Sequence, residues 1–123
     1  MYVYADNAAT TKMSRAAQMT MIDAMERVWG NPSSLHTTGQ EAKEALEGAR
    51  EAIAAMLGAD SAREIYFTSG GSEADNQAIR SAAFYGAKKG KKHIISTAFE
   101  HHAVLHTLKK LEKEGFEITL LDV

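Results

Sequence analysis

Ile65-Tyr66-Phe67-Thr68-Ser69-Gly70-Gly71-Ser72-Glu73-Ala74-Asp75-Asn76 decides how this chain is to be read. Apolar and β-branched residues pass into a run of small ones and then into a segment that favours helix. That is an anion-binding pattern, because glycines let a backbone approach a ligand closely while the first N–H groups of the helix are unpaired. The helix dipole adds to the attraction, and a phosphate is the natural guest. A tight βα turn with Ser72 as N-cap and no ligand explains the same local pattern. The stretch has neither the Gly-Lys-Ser/Thr of a Walker loop nor the Gly-x-Gly-x-x-Gly of a dinucleotide turn, so both nucleotide readings drop.

The alternation continues downstream. Glu64 to Thr68 reads as a strand, Glu73 to Lys89 as a helix and Lys92 to Ser96 as a second strand. His101 to Glu114 carries Val104, Leu108 and Leu111 on one helical face, Gly115 caps it, and Phe116 to Leu121 supplies a third strand. Strand, helix, strand, helix, strand implies a parallel sheet in an α/β fold. Upstream, Ser14 is placed to cap a helix bearing Ala17, Met21, Met25 and Val28, with Gly30 to end it. The run Gly30-Asn31-Pro32-Ser33-Ser34 is loop chemistry. A second helix fits Ala42, Ala45, Leu46, Ala49, Ile53, Met56 and Leu57, with Gly58 as its stop.

The length of 123 residues suits one domain or a piece of a larger one. With 45% hydrophobic and 24% charged residues, the composition excludes disorder and coiled-coil rods. A formal charge of −2 gives no strong positive field for nucleic acid or an anionic membrane. The absence of cysteine excludes disulfides, thiolate metal sites and a cysteine nucleophile from this chain. The longest apolar run, Ala52 to Leu57, falls far short of the ~18 residues of a membrane span, and Met1 to Ala5 lacks the pattern of a leader. A cytoplasmic location is expected.

Glu100-His101-His102 occupies the next βα turn, with His106 one helical turn beyond His102. His102 and His106 have metal-ligand spacing, but no glutamate lies between them and no further ligand is evident, so no metal site is assigned. His101, at the start of the helix and the carboxyl end of a strand, lies where open parallel sheets bind ligands. Its imidazole has the shape to stack on a planar ring. A capping or surface role explains His101 from the local pattern as well.

Taken together, these segments resemble the pyridoxal-phosphate-dependent cysteine desulfurases of the NifS and IscS type, within the class V aminotransferase group. Asp6-Asn7-Ala8-Ala9-Thr10-Thr11 is similar to the family's amino-terminal segment, and Gly30-Asn31-Pro32-Ser33-Ser34-Leu35-His36 to its following loop. Phe67-Thr68-Ser69-Gly70-Gly71-Ser72-Glu73 resembles its phosphate turn, and Glu100-His101-His102-Ala103-Val104 its ring-stacking histidine region. The segments occur in family order and cover nearly the whole chain. The resemblance implies part of the parallel three-layer sheet of a fold-type I pyridoxal-phosphate enzyme, with residues 1–13 an amino-terminal arm and 14–123 the first part of the large domain.

The resemblance further implies that Gly71 and Ser72 contact the phosphate of pyridoxal phosphate and that His101 stacks over its pyridine ring. Ser72 stands where the family often has threonine, but it keeps the hydroxyl and the backbone N–H. His102 takes a position often held by lysine and receives no role. The family's Schiff-base lysine, its aspartate partner to the pyridine nitrogen and its sulfur-accepting cysteine all fall beyond the equivalent of Val123. The expectation is therefore the amino-terminal part of an enzyme that converts L-cysteine to L-alanine and passes on sulfur as a persulfide, inactive as this isolated chain and without catalytic residues of its own. A sulfur-acceptor protein and a second copy of the chain are the implied partners, since the parent family is homodimeric. Another class V enzyme, such as a selenocysteine lyase or an aminotransferase, and a non-catalytic truncated interaction module are the alternatives.

Overall fold

The computed structural model describes residues 2–122, and the chain divides into two compact units, Met1–Ile65 and Tyr66–Val123. In the first unit, α1 spans Arg15–Arg27 and α2 spans Thr37–Leu57, followed by a 3₁₀ turn over Ala62–Glu64. Ser14 caps α1 as its sequence position suggests, its side chain accepting from the Ala17 N–H at 3.2 Å. Gly30 does not end α1, which stops at Arg27 with Val28 as its C-cap. Gly30 answers a steric demand instead, since a Cβ there would lie 2.2 Å from the Thr38 carbonyl oxygen.

The second helix starts earlier than its apolar stripe indicates. His36 Nδ1 accepts from the Gly39 N–H at 3.2 Å and supplies the N-cap. Gly58 stops α2, as expected, by entering the left-handed region at φ 70°. Arg50 ties this helix to the segment that follows by donating to the Ile65 carbonyl.

The second unit contains α3 (Gly71–Ala87), β1 (His93–Thr97), α4 (His102–Lys113) and β2 (Glu117–Leu121). The strands are parallel, and their register places Ile94 beside Ile118 on one face. That face meets both helices in a core of Ala83, Leu111 and Phe116, flanked by Ile79, Ala87, Ile94 and Ile118. Phe84 and Phe116 add an edge-to-face pair with centroids 5.8 Å apart. Arg80 reaches from α3 to Glu114 at 3.3 Å, a partly exposed link of modest weight. On the opposite face of the sheet, Ile95 and Leu121 are 62% and 51% exposed, so no layer covers them within this unit.

The strand expected over Glu64 to Thr68 is not formed. Glu64 closes the 3₁₀ turn, and Ile65 has extended dihedrals, φ −93° and ψ 121°, without a pairing neighbour. The residues favour extended backbone, but a strand exists only where a second backbone pairs with it. The two later strands have each other, with α4 as the crossover.

The join between α4 and β2 explains why that crossover is well fixed. Gly115, at φ 90°, donates to the Glu112 carbonyl at 3.0 Å, and Phe116 donates to the Leu111 carbonyl at 3.1 Å. This is a Schellman closure, and its hydrophobic contact is between Leu111 and Phe116, both in the core. No helix among the described residues is long and apolar enough to cross a membrane.

Candidate anion and ring site

The amino terminus of α3 is capped by Gly70, whose lack of a side chain leaves the end of the helix without a side-chain acceptor. The other three α-helices differ: Ser14, His36 and His101 each cap with a side-chain atom. The cap therefore lies two residues before Ser72, the candidate in the ligand-free reading of the turn. The N–H groups of Gly71, Ser72 and Glu73 precede the first intrahelical bond, from Ala74 to the Gly70 carbonyl at 3.1 Å. A Cβ at Gly70 or Gly71 would meet nothing within 4 Å, so the space over the turn is open to a guest.

Glu73 shapes the turn from inside the helix. Its Oε2 accepts from both the Ser69 N–H and the Ser69 hydroxyl, each at 2.7 Å. These bonds, the side-chain one foremost, hold the Glu73 carboxyl below its ordinary value. Thr68 adds a bond from its hydroxyl to the Gly70 carbonyl at 3.2 Å. The chain thus enters α3 along a fixed path while the donors of Gly71 and Ser72 stay outside the local network.

His101 stands at the second turn, between β1 and α4. It caps α4 by accepting from the Ala103 N–H at Nδ1, at 3.1 Å, which places the proton of the neutral ring on Nε2. Just ahead of it, Glu100 Oε1 accepts from Thr97, the last residue of β1, at 3.0 Å. His102 and His106 stack on one another with centroids 5.6 Å apart and 26° between their planes. Among the described residues no group of three or more His, Cys, Asp or Glu is placed to hold a metal ion.

Ser72 and His101 come together. Both line an open cavity of about 430 Å³ whose wall also includes Asn76, His102, His106 and Lys110. Lys110 adds a cation to a site already favoured for anions by the helix end. Gly71 lies one residue from Ser72 on the exposed rim of the turn. The donor set suits a phosphate with a planar group beside it: unpaired N–H groups, a hydroxyl, a lysine and an imidazole whose capping bond fixes its position. Asn76 closes the stretch that begins at Ile65 but receives no role from the sequence, and neither Thr107 nor Lys110 is assigned to a site from the sequence. Asn76 sits one helical turn beyond Ser72, a spacing that could have marked it, whereas Thr107 carries no signal of its own.

The class-V aminotransferase family matches residues 3–123. This chain belongs to that family. It is 50% identical over 121 residues to a cysteine desulfurase IscS of Methanosarcina thermophila, covering 98% of this chain and 30% of that protein. The same identity and coverage of this chain hold for a putative cysteine desulfurase IscS 1 of Bacillus subtilis, of which the match spans 31%. Among solved structures, a NifS-like protein superposes with a TM-score of 0.87 at 40% identity, over 98% of this chain and 33% of its own. SspA, in a complex with cysteine, superposes with a TM-score of 0.81 at 39% identity, over 94% of this chain and 33% of its own. This family member therefore spans about 30% of the length of the curated relatives it matches. The shared fold is that of the fold-type I pyridoxal-phosphate enzymes.

Proposed function

We propose that this chain forms the phosphate-holding and ring-stacking portion of a pyridoxal-phosphate-dependent cysteine desulfurase, with residues 1–13 as an arm and 14–123 as the first part of its large domain. The observation that carries the reading is the convergence of Ser72 and His101, from two separate turns, on one cavity beside the end of α3 that has no side-chain cap. Class V aminotransferases and cysteine desulfurases depend on pyridoxal phosphate in general, the Methanosarcina thermophila relative is named a cysteine desulfurase, and one of the two solved structures is a NifS-like protein.

In this reading the N–H groups of Gly71 and Ser72 and the Ser72 hydroxyl hold the phosphate, with the α3 dipole and Lys110 adding attraction. His101 lies over the ring, its orientation fixed by the bond from Ala103 to Nδ1. When bound, the cofactor supplies an electron-withdrawing ring that stabilises negative charge on the substrate carbon. The residues of this chain bind and orient it. With no cysteine in its sequence, the chain contributes no thiol to accept sulfur, and we assign it no catalytic residue. L-Cysteine as substrate, a protein sulfur acceptor and pairing with a second copy belong to the same proposal.

The test is a titration of the chain with pyridoxal phosphate, and separately with inorganic phosphate, following the amide resonances of Gly71 and Ser72. Both ligands are expected to move those two amides, and pyridoxal phosphate alone to move the His101 ring. Shifts confined to other residues would overturn the assignment.

A further inference from the structure

The cavity wall contains a polar connection between α3 and α4 that the binding roles above do not use. Asn76 Nδ2 donates to the Ser72 carbonyl at 2.7 Å, and Asn76 Oδ1 lies 2.6 Å from the Thr107 hydroxyl. The orientation of the amide is settled by its neighbours. Rotated by half a turn, its oxygen would face the Ser72 carbonyl oxygen at 2.7 Å, two acceptors with no proton between them. Oδ1 therefore faces Thr107, and at 2.6 Å the single hydroxyl proton must lie between the two oxygens. The Ala103 carbonyl, 2.8 Å from the same hydroxyl, is the acceptor left over.

Thr107 is 3% exposed, the one polar residue among the buried side chains described. A buried hydroxyl is retained at a cost unless it is bonded, and an isosteric valine would fill the same volume. The bond runs from the carbonyl of Ser72, through Asn76, to the second turn of α4, the helix that His101 caps. We infer that Asn76 and Thr107 are a positioning pair that sets the spacing between Ser72 and His101, so that the phosphate and ring subsites keep one separation. The inference rests on the proposed function for what that spacing serves, though not for the spacing itself.

A ligand that occupies only the end of α3 does not sense the separation of the two helices, whereas one that spans both subsites does. Thr107→Val is therefore expected to weaken pyridoxal phosphate by about twofold to tenfold, the range for one net hydrogen bond, and to leave inorganic phosphate within twofold. Thr107→Ser should restore the affinity of the parent chain. Asn76→Ala breaks the same link from α3, so combining it with Thr107→Val should weaken pyridoxal phosphate no further than the stronger single variant.

The same NMR samples without ligand supply a second readout. The ring resonances of His101 and the amide of Ser72 should both move in Thr107→Val and return in Thr107→Ser. If they stay at the parent positions in Thr107→Val and in Asn76→Ala, the pair does not set the spacing and the inference falls, whatever the ligands do. Equal loss of pyridoxal phosphate and inorganic phosphate would also overturn it, because that is the result of a general loosening of the fold. If the parent chain binds neither ligand at Gly71 and Ser72, the proposed function falls alone, and the ligand-free shifts still decide the positioning pair.

Discussion

Replacing Leu111 by alanine should remove most of the stability of the second unit. Leu111 is 0% exposed, the one large side chain described as fully enclosed, and it touches the core formed with Ala83 and Phe116. Leucine-to-alanine changes in cores cost about 2–5 kcal/mol, the spread reflecting how far the surroundings collapse into the void. Collapse is restricted here. The Leu111 carbonyl is held by the Phe116 N–H at 3.1 Å, and the next turn is closed by Gly115, so α4 cannot slide to fill the space. The upper half of the range, about 3–5 kcal/mol, is expected.

Whole domains are stable by only ~5–15 kcal/mol, so such a loss leaves little for a unit of this size. In urea, with a slope of ~1–3 kcal/mol per molar, the midpoint should fall by on the order of 1–5 M. Phe99, 66% exposed in the same unit, is the control, and its replacement by alanine should change stability by no more than about 0.5 kcal/mol. Circular dichroism against urea measures both variants. Equal midpoints for Leu111→Ala and Phe99→Ala would refute the reasoning, since they would show that no specific core has formed around α4.

Glu73→Gln should flatten the acid limb of stability. A carboxyl whose folded value is depressed contributes above its ordinary value of 4.5 and loses that contribution as pH falls through the folded value, so melting temperatures of parent and variant should converge on acidification. Ser72→Ala should weaken inorganic phosphate tenfold or more if its hydroxyl donates to the anion, the weight of one bond to a charged group being ~1.5–3 kcal/mol, and isothermal titration measures it. Gly71→Ala, with open space around the new Cβ, should raise the urea midpoint, the expected gain being ~0.4–1 kcal/mol. Light scattering across a wide concentration range should show self-association, because Ile95 and Leu121 on the sheet and Met56 and Leu57 on α2 are all at least 51% exposed. A concentration-independent monomer with a sharp thermal transition would contradict that expectation.

Where one local signal sufficed, the sequence could be read directly. Ser14 before α1, Gly58 after α2 and Gly115 after α4 each act through their own backbone or side chain, and each holds the place expected. The assignment of Ser72 and His101 to one site came from the family resemblance and from no local signal, and the structure shows the two lining one cavity. What could not be read depends on a second segment. Ile65 to Thr68 has strand-forming residues but no paired backbone, and the start of α2 depends on how Ser34 and Asn31 crowd Gly39, where a Cβ would lie 2.6 Å from the Ser34 carbonyl oxygen. The link from Asn76 to Thr107 joins residues 31 positions apart, beyond the reach of any periodicity.

The closure at Gly115 also bears on the order in which the second unit forms. Leu111 and Phe116 meet across a single turn, so their contact requires almost no loop closure and can precede any long-range pairing. The bonds between β1 and β2 must wait for the whole of α4 to fold back, and the contact of Asn76 with Thr107 closes a longer loop still. Assembly should thus begin at the α4–β2 corner, with the β1 pairing and the α3 docking following it. The amide of Phe116 should accordingly be among the last to exchange with solvent deuterium, while the amides of Gly71 and Ser72, at the far end of that sequence of events, should be among the first.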